Sequence, residues 1–218
     1  DITSIHNYDL RWEWFPKPAE VLAASLFYKT LSSPIEKQFV TANRQVQYQN
    51  RDEAIVYGLE LEARKSLETI SENLSDFTVG GNFTYVVSEV NVTPFEYEFG
   101  RNETRQLAGQ SPYIMNFDIS YNNDRTGTIV SLFYNIFGPR LAVVGSSSPA
   151  RPNAFEQPVG TLDLTISQSL SDHWKLKFSA KNLLDPTVDV TQEFGGQEYI
   201  YSSYKRGRSF GMSLSYDF

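Results

Sequence analysis

The sequence predicts an all-β fold: an antiparallel transmembrane β-barrel with about nine strands in the 218 residues of this chain. Three observations predict it. Apolar and polar residues alternate with a period of two from end to end, short and long connections alternate between the segments, and no helical period competes over a comparable length. A transmembrane strand needs only about 9–11 residues, of which alternate ones meet lipid, so the moderate hydrophobic content is compatible with this fold.

The first four predicted strands lie before residue 90. Apolar residues take the even positions of residues 7–14 and the odd positions of residues 55–64. In residues 20–30 either parity can be apolar, and in residues 77–87 the alternation passes through Gly80–Gly81. Small apolar side chains are compatible with a lumen-facing side, so the sequence leaves open which way these two strands face.

The remaining five strands alternate more strictly. Apolar residues keep one parity within each of the segments 113–121, 130–136, 162–167 and 174–181. The final segment shows the pattern best, with these side chains on one face: Phe210, Met212, Leu214, Tyr216 and Phe218.

The connections between these strands fall into two length classes. Short turns are predicted at residues 15–19, 67–75, 122–125 and 169–172. Long polar loops are predicted at residues 31–51, 91–107, 138–156 and 185–206. Short turns at one end of the strands and long loops at the other are typical of outer-membrane barrels, in which the long loops lie outside the cell.

A soluble β-sandwich or jelly roll is the alternative fold, because its strands alternate as well. Many strands here exceed ten residues, whereas strands of globular sheets are usually about 5–6 residues long. The polar faces also carry charge in mid-strand, as a water-filled lumen permits. Both features favour the membrane barrel.

The composition excludes several kinds of function. The chain has no Cys, and therefore no disulfide, zinc-thiolate site or thiol nucleophile. The net charge of −7 argues against nucleic-acid binding, which requires a basic face. Only two histidines occur, His6 and His173, and no GxSxG, HExxH or paired metal-ligand spacing is present. The sequence thus predicts no enzyme, no bound cofactor and no nucleic-acid partner.

Five segments, spread over nearly the whole chain, resemble the barrel of TonB-dependent outer-membrane receptors and follow that family's order. They are Tyr8–Tyr28, Gly58–Leu67, Gly109–Asn116, Lys181–Pro186 and Gly207–Phe218. The resemblance implies a barrel of 22 strands and a plug domain that fills its lumen. It further implies uptake of a ferric siderophore, cobalamin or a glycan, powered through the periplasmic TonB protein.

Measured against that pattern, residues 1–218 are expected to form the C-terminal portion of the barrel, without the plug domain and the N-terminal strands. The odd strand count agrees, because bacterial single-chain barrels have even counts and an open sheet edge is costly in lipid. The expected location is the bacterial outer membrane, with lipid, lipopolysaccharide, the remainder of the barrel, TonB and a small nutrient as partners. The alternative is a passive or structural barrel assembled with other chains.

Two sets of aromatic and apolar residues are predicted to serve the membrane setting. The terminal face resembles the signal that the outer-membrane assembly machinery recognises, and consists of Phe210, Met212, Leu214, Tyr216 and Phe218. Its members are also explained simply as lipid-facing residues of the last strand. An aromatic girdle near the periplasmic rim is predicted from Trp12, Trp14, Phe15 and Trp174, with Tyr216 beside them.

The long loops supply candidate ligand contacts. Cationic and aromatic side chains there suit an anionic or catechol-bearing ligand: Arg101, Arg105, Arg140, Arg151, Tyr199, Tyr201 and Arg206. A solvated loop surface or packing of the loops on each other explains the same residues. Charged residues on the lumen-facing parity are predicted to contact water or the plug: Asp9, Arg11, Glu13, Glu60, Glu62, Asp118, Asp163, Lys175 and Lys177.

Overall fold

One long antiparallel sheet forms most of the molecule. The computed structural model describes residues 2–39, 45–91, 104–145 and 151–217. The strands that run through the sheet, in spatial order, are β1 (Ser4–Trp14), β2 (Val21–Ser32), β5 (Glu53–Ser66), β6 (Phe77–Asn91), β8 (Tyr113–Asn123), β9 (Thr128–Phe137), β12 (Gly160–Ser169), β13 (Trp174–Lys181) and β16 (Ser209–Tyr216). These are the nine strands that the alternation predicts. A two-residue strand, β7 (Thr104–Arg105), pairs with the end of β6.

Each neighbouring pair among these nine strands brings apolar side chains opposite apolar ones. One such row runs across five strands, through Leu10, Leu26, Leu59, Tyr85 and Tyr113. Because side chains alternate across a strand, these rows build one continuous apolar face, and the other parity builds a polar face. Cross-strand apolar pairs of this kind contribute roughly 0.2–1 kcal/mol each.

The pairing register shows which side chains of β2 and β6 lie on the apolar face, a point that the sequence leaves open. In β2 the even positions, among them Leu22 and Leu26, lie on the apolar face, so Ser25 and Phe27 lie on the polar face. In β6 the odd positions, among them Phe83, lie on the apolar face.

The four short turns lie where the sequence predicts them. The turn between β5 and β6 contains two 3₁₀ helices, Leu67–Thr69 and Glu72–Leu74. In the turn between β1 and β2, Glu20 is buried and accepts hydrogen bonds from Lys65 Nζ (2.8 Å) and the Ser66 amide (3.3 Å). The Lys65 hydrogen bond is the largest cause that lowers the pKa of Glu20, and burial opposes it. This contact fixes the turn against β5.

The long connections lie where the sequence predicts long polar loops, and they contain regular strands that the sequence does not predict. In the described residues, and besides β7, they contain six strands: β3 (Ile35–Phe39), β4 (Val46–Asn50), β10 (Arg140–Val143), β11 (Ala154–Glu156), β14 (Thr187–Phe194) and β15 (Gln197–Lys205). The order β10-β11-β14-β15 forms one sheet and β3-β4 a hairpin. Strand formation satisfies backbone groups that packing between the connections would otherwise leave unpaired.

We call these six strands the loop layer. Its small core consists of Phe39, Val143, Ala154 and Val190, with Tyr201 packed against it. A parallel bridge between Gln38 and Val144 joins the β3-β4 hairpin to the four-stranded sheet. The long connections are therefore packed on one another at one end of the main sheet.

The two edges of the main sheet are open. Among the described residues β1 pairs only with β2, and β16 pairs only with β13. All residues of both strands are exposed. No helix in the described ranges is long and apolar enough to cross a membrane.

Candidate functional site: the polar face and the loop layer

The polar face of the main sheet has sectors of different chemistry. On β1, β2 and β5 it carries a charged group centred on Arg11. Its guanidinium is paired with Glu13 (Nε–Oε1 2.6 Å) and with Glu62 (Nη2–Oε2 2.8 Å), and donates to Ser25 Oγ (3.2 Å). All three charged side chains are about two-fifths exposed, so water screens these pairs and their contribution to stability is small.

Next to this group the polar face carries a row of amide side chains. Asn116 Nδ2 donates to Asn82 Oδ1 (2.6 Å), and Asn135 Nδ2 donates to Asn116 Oδ1. The amides thus form a row across β6, β8 and β9 that extends the Glu62 position. Such a row offers hydrogen bonds without net charge.

At the far side of the same face, β12, β13 and β16 carry lysines and small hydroxyl residues. Lys175 and Lys177 lie here, as the alternation predicts, and Lys181 lies on the same face. All three are exposed.

In the loop layer one buried carboxylate joins two connections. Glu36 on β3 accepts from Arg105 through both oxygens (2.9 and 2.6 Å), from Arg51 Nε (3.0 Å) and from the Ala108 amide (2.7 Å). The Glu36 side chain is fully buried, and 4% of Arg51 and 11% of Arg105 are exposed. Charged hydrogen bonds in such surroundings are strong, and each group depends on its partners.

Two opposing effects set the pKa of Glu36. Burial is the largest single effect and would raise it. The hydrogen bond and charge of Arg105, the Ala108 amide and the charge of Arg51 together outweigh burial, so the pKa lies below the ordinary value of 4.5. Glu36 therefore stays ionised at neutral pH, as the two guanidinium groups require.

The four-stranded sheet of the loop layer has an open cavity of about 810 Å³ on one side. Phe155 and Thr191 lie opposite each other in the register and line it, together with the cross-strand pair Glu193 and Glu198. The cavity can accommodate a small molecule by size, and its lining offers a ring, a hydroxyl and two carboxylates. No group of three or more potential metal ligands occurs in the described part of the chain.

The predicted loop contacts are largely engaged in packing. Arg105 pairs with Glu36, and Arg140 forms a two-pronged ion pair with Glu156 (3.0 and 2.9 Å). The Arg151 guanidinium lies 5.9 Å from the centre of the Phe39 ring.

Of the three other described candidates, one is engaged in packing and two are exposed. Tyr201 packs edge-on against Phe39 at 5.6 Å. Tyr199 is exposed and its hydroxyl donates to Gln197 (3.3 Å), and Arg206 is exposed. Arg101 lies outside the described residues. The structure thus brings Arg151 and Tyr201 together at Phe39, and leaves Tyr199 and Arg206 open to a ligand.

The residues predicted for membrane roles lie on the apolar face or at the short-turn end. Those of the assembly signal that are described lie in one exposed row on β16: Phe210, Met212, Leu214 and Tyr216. Phe218 lies outside the described residues. Trp12, Trp14, Phe15 and Trp174 are exposed beside short turns, and the Trp174 ring lies 4.9 Å from that of Tyr216. A signal role and a girdle role both stay predictions.

The sequence did not single out Glu36. It is one of several acidic residues in a polar connection, and its arginine partners lie 15 and 69 residues away. The only available signal was the short alternation of residues 35–39, which gives Glu36 and Gln38 one face. That pattern does not show that the face is buried.

The two-faced sheet with short turns at one end and packed connections at the other is the wall of a membrane-type β-barrel. The sequence model described as "TonB dependent receptor-like, beta-barrel" matches residues 3–183. The chain therefore belongs to the TonB-dependent receptor β-barrel family. No curated protein matches the sequence.

Solved structures show the same fold. The ferric citrate transporter FecA, in unliganded form, matches 98% of this chain at a TM-score of 0.68 with 14% identity. The copper transporter OprC matches 99% of this chain at a TM-score of 0.65 with 16% identity. The ferric yersiniabactin uptake receptor FyuA from Yersinia pestis also matches 99% of the chain, at a TM-score of 0.63 with 16% identity. The chain spans 30% to 31% of the length of these three proteins.

Proposed function

We propose that this chain is the C-terminal wall of an outer-membrane receptor that takes up a small nutrient. The observation that carries the proposal is the sheet itself, in which nine strands share a continuous apolar face and an opposite polar face. In an outer-membrane barrel the apolar face contacts lipid and lipopolysaccharide, and the polar face lines the lumen. Membership of the receptor family supports uptake over other barrel functions.

The open edges support a larger barrel. β1 and β16 expose unpaired backbone groups, which a bilayer tolerates only in a closed sheet. We propose that further strands, to a total of 22, pair with these edges, and that a plug domain occupies the lumen and contacts TonB in the periplasm. Residues 1–218 then contribute wall and part of the outer ligand-binding surface.

The ligand is proposed by class. Ferric siderophores, cobalamin and glycans are the candidates, and the similar structures favour metal complexes, because they are transporters of ferric complexes and copper. Tyr199, Arg206 and the cavity beside Phe155 are the described surfaces that remain open to such a molecule. The role is binding and gating, without bond-making chemistry.

Growth tests distinguish energised uptake from a passive barrel. A deletion strain should lose growth on one limiting source among ferric siderophores, copper, cobalamin and glycans, and the gene should restore it. Inactivation of TonB should abolish the restored growth. Restoration that persists without TonB would show a passive or structural barrel instead.

A further inference from the structure

The four-stranded sheet of the loop layer repeats the strand order of the main sheet. β10 follows β9 after residues 138–139, and β11 leads into β12 through residues 157–159. In the same way β14 follows β13, and β15 leads into β16 through residues 206–208. The order β10-β11-β14-β15 therefore follows the order β9-β12-β13-β16 of the main sheet. Strands that are neighbours in the wall have continuations that are neighbours in the loop layer.

The two outer edges of this four-stranded sheet differ. Beside β10, the Phe39 amide donates to the Val144 carbonyl (3.1 Å) and the Val144 amide donates to the Lys37 carbonyl (3.0 Å), so β3 occupies that edge. On the other side, β15 pairs only with β14 among the described residues. The edge of β15 is therefore open to a further strand.

β15 has few of the features that keep an open strand edge from pairing. Short length, lysines, prolines and bulges are the usual protections. β15 has nine residues and no proline, and its charges, Glu198 and Lys205, lie near its ends. It does contain a bulge at Tyr201, and this bulge serves packing, because the Tyr201 ring lies edge-on against Phe39 at 5.6 Å. The uncharged stretch between the two charges is thus a strand edge that favours a partner.

Apolar side chains accompany this open edge. Tyr199, Ile200 and Tyr204 are 53%, 67% and 47% exposed. An extended polypeptide satisfies a row of open backbone groups by adding a strand, and it covers such side chains at the same time. A small molecule spans only one or two of these groups. The chemistry of the edge therefore selects an extended, largely uncharged strand.

The position of the edge identifies which strand this is. The open edges of β15 and β16 lie on the same side of their hairpins, because β14 and β13 occupy the opposite sides. Strands of an outer-membrane barrel are antiparallel to their neighbours. The strand that pairs with β16 therefore runs towards the loop layer, and its continuation reaches β15 in antiparallel orientation.

We propose that the strand that closes the barrel against β16 continues beyond the wall and pairs with β15, so that the loop layer crosses the closing seam. The inference rests on the proposed function, which places this closing strand before residue 1. It goes beyond closure of the barrel, because it assigns a backbone partner to the last long connection. The continuation places uncharged side chains beside Tyr199, Ile200 and Tyr204.

Photo-cross-linking tests the contact in the full-length protein in isolated outer membranes. A benzophenone-bearing phenylalanine replaces Tyr204, and mass spectrometry of the digested protein identifies the linked peptide. We expect a link to a segment that precedes residue 1. The matched control carries the same probe in place of Tyr48, an exposed tyrosine on β4 at the other end of the pairing order. The control should give no link to that segment.

Hydrogen exchange supplies the second measurement. Amides of residues 197–200 and 202–205 that point away from β14 should exchange several-fold more slowly than the outward amides of residues 46–49 on β4. Equal exchange together with no link from the probe at Tyr204 would overturn the proposal. A link to residues 92–103, to a second copy of the protein or to lipopolysaccharide would also overturn it, because it assigns the edge to a different occupant.

A third probe separates this inference from the proposed function. The same benzophenone side chain in place of Phe210, which is exposed on β16, should link to the closing strand if the barrel is closed. A link from Phe210 with none from Tyr204 means that the barrel closes and the inference about β15 alone fails. If the protein is absent from outer membranes and Phe210 gives no link, the proposed function fails, and the inference is overturned with it.

Discussion

Contacts made by single residues hold the long connections against one another. Glu36 is the clearest case, because its carboxylate binds Arg51 from its own connection and Arg105 and the Ala108 amide from the next one. Removing any one partner of such a buried charge costs several kcal/mol of stability. The loop layer therefore depends on Glu36 more than on any of its exposed charges.

Replacing Glu36 by Gln should open the loop layer without unfolding the wall. The change leaves two largely buried guanidinium groups with one negative charge fewer, and breaking such a buried pair costs roughly 3 kcal/mol. We expect faster amide hydrogen exchange in residues 35–39 and 104–108, with unchanged exchange in β8 and β9. Glu53→Gln, at an exposed acidic position nearby, is the matched control and should change neither region. Equal exchange in both variants would show that the Glu36 contacts do not hold the two connections together.

The pKa of Glu36 predicts how pH affects the same region. Because the folded state lowers this pKa, ionised Glu36 stabilises the loop layer above the ordinary carboxyl value of 4.5, and the stabilisation is lost as the pH falls through the lower folded-state pKa. Exchange of residues 35–39 and 104–108 should therefore accelerate, relative to β8 and β9, on acidification below pH 4.5. The Glu36→Gln variant should lack this relative acceleration. A variant that retains it would assign the pH dependence to another group.

At the scale of strands, the sequence was sufficient for the main sheet and insufficient for the loop layer. The alternation found all nine strands because each one has a lipid-type and a polar face, which local sequence records. The facing of β2 was ambiguous because Ala23 and Val21 on its polar face are apolar, and only pairing with β1 and β5 resolves it. Three of the loop-strand pairs are hairpins between neighbouring segments, but the four-stranded sheet also needs the pairing of β11 with β14, in which Ala154 lies opposite Gln192, and local sequence does not record that contact.

One glycine shows how tightly two strands of the main sheet approach. A Cβ added to Gly58 would lie 2.1 Å from the Tyr85 carbonyl oxygen and 2.6 Å from the Phe27 ring. The Gly58→Ala protein should therefore be less stable by about 1–3 kcal/mol, the usual cost of overpacking. The measurement is the unfolding free energy of the detergent-solubilised protein.

Gly211→Ala provides the comparison for this prediction. Gly211 also lies on the polar face, but its added Cβ would meet only the Ser179 hydroxyl, at 3.0 Å, which can rotate away. Its unfolding free energy should stay close to that of the unchanged protein. A Gly58→Ala protein as stable as Gly211→Ala would show that β5 and β6 have room to move apart.

At the scale of the whole molecule, the assignment of the two faces determines everything proposed about function. If the apolar face meets lipid, the polar face is the lumen wall, and the charged group around Arg11, the row of asparagines and the lysines of β13 all line the lumen. If the sheet instead closed a soluble sandwich, the apolar face would be a core, and a large polar group there would be equally harmful. The location of the protein and the effect of charge on each face must therefore be tested together.

Two neighbouring residues of β9 make that test. Leu132 lies on the apolar face between Ile119 and Leu164, and Ser131 lies on the polar face between Ser120 and Thr165. Arginine on the lipid side of a barrel costs about 2–4 kcal/mol near the middle of the bilayer and little in the lumen. Leu132→Arg should thus lower the unfolding free energy in lipid vesicles by that amount and reduce the protein recovered in outer membranes, while Ser131→Arg should be recovered normally. Leu132→Gln should lose less unfolding free energy and less recovered protein than Leu132→Arg, because glutamine carries no charge. Equal recovery of both arginine variants, or extraction of the unchanged protein without detergent, would place the apolar face somewhere other than in lipid.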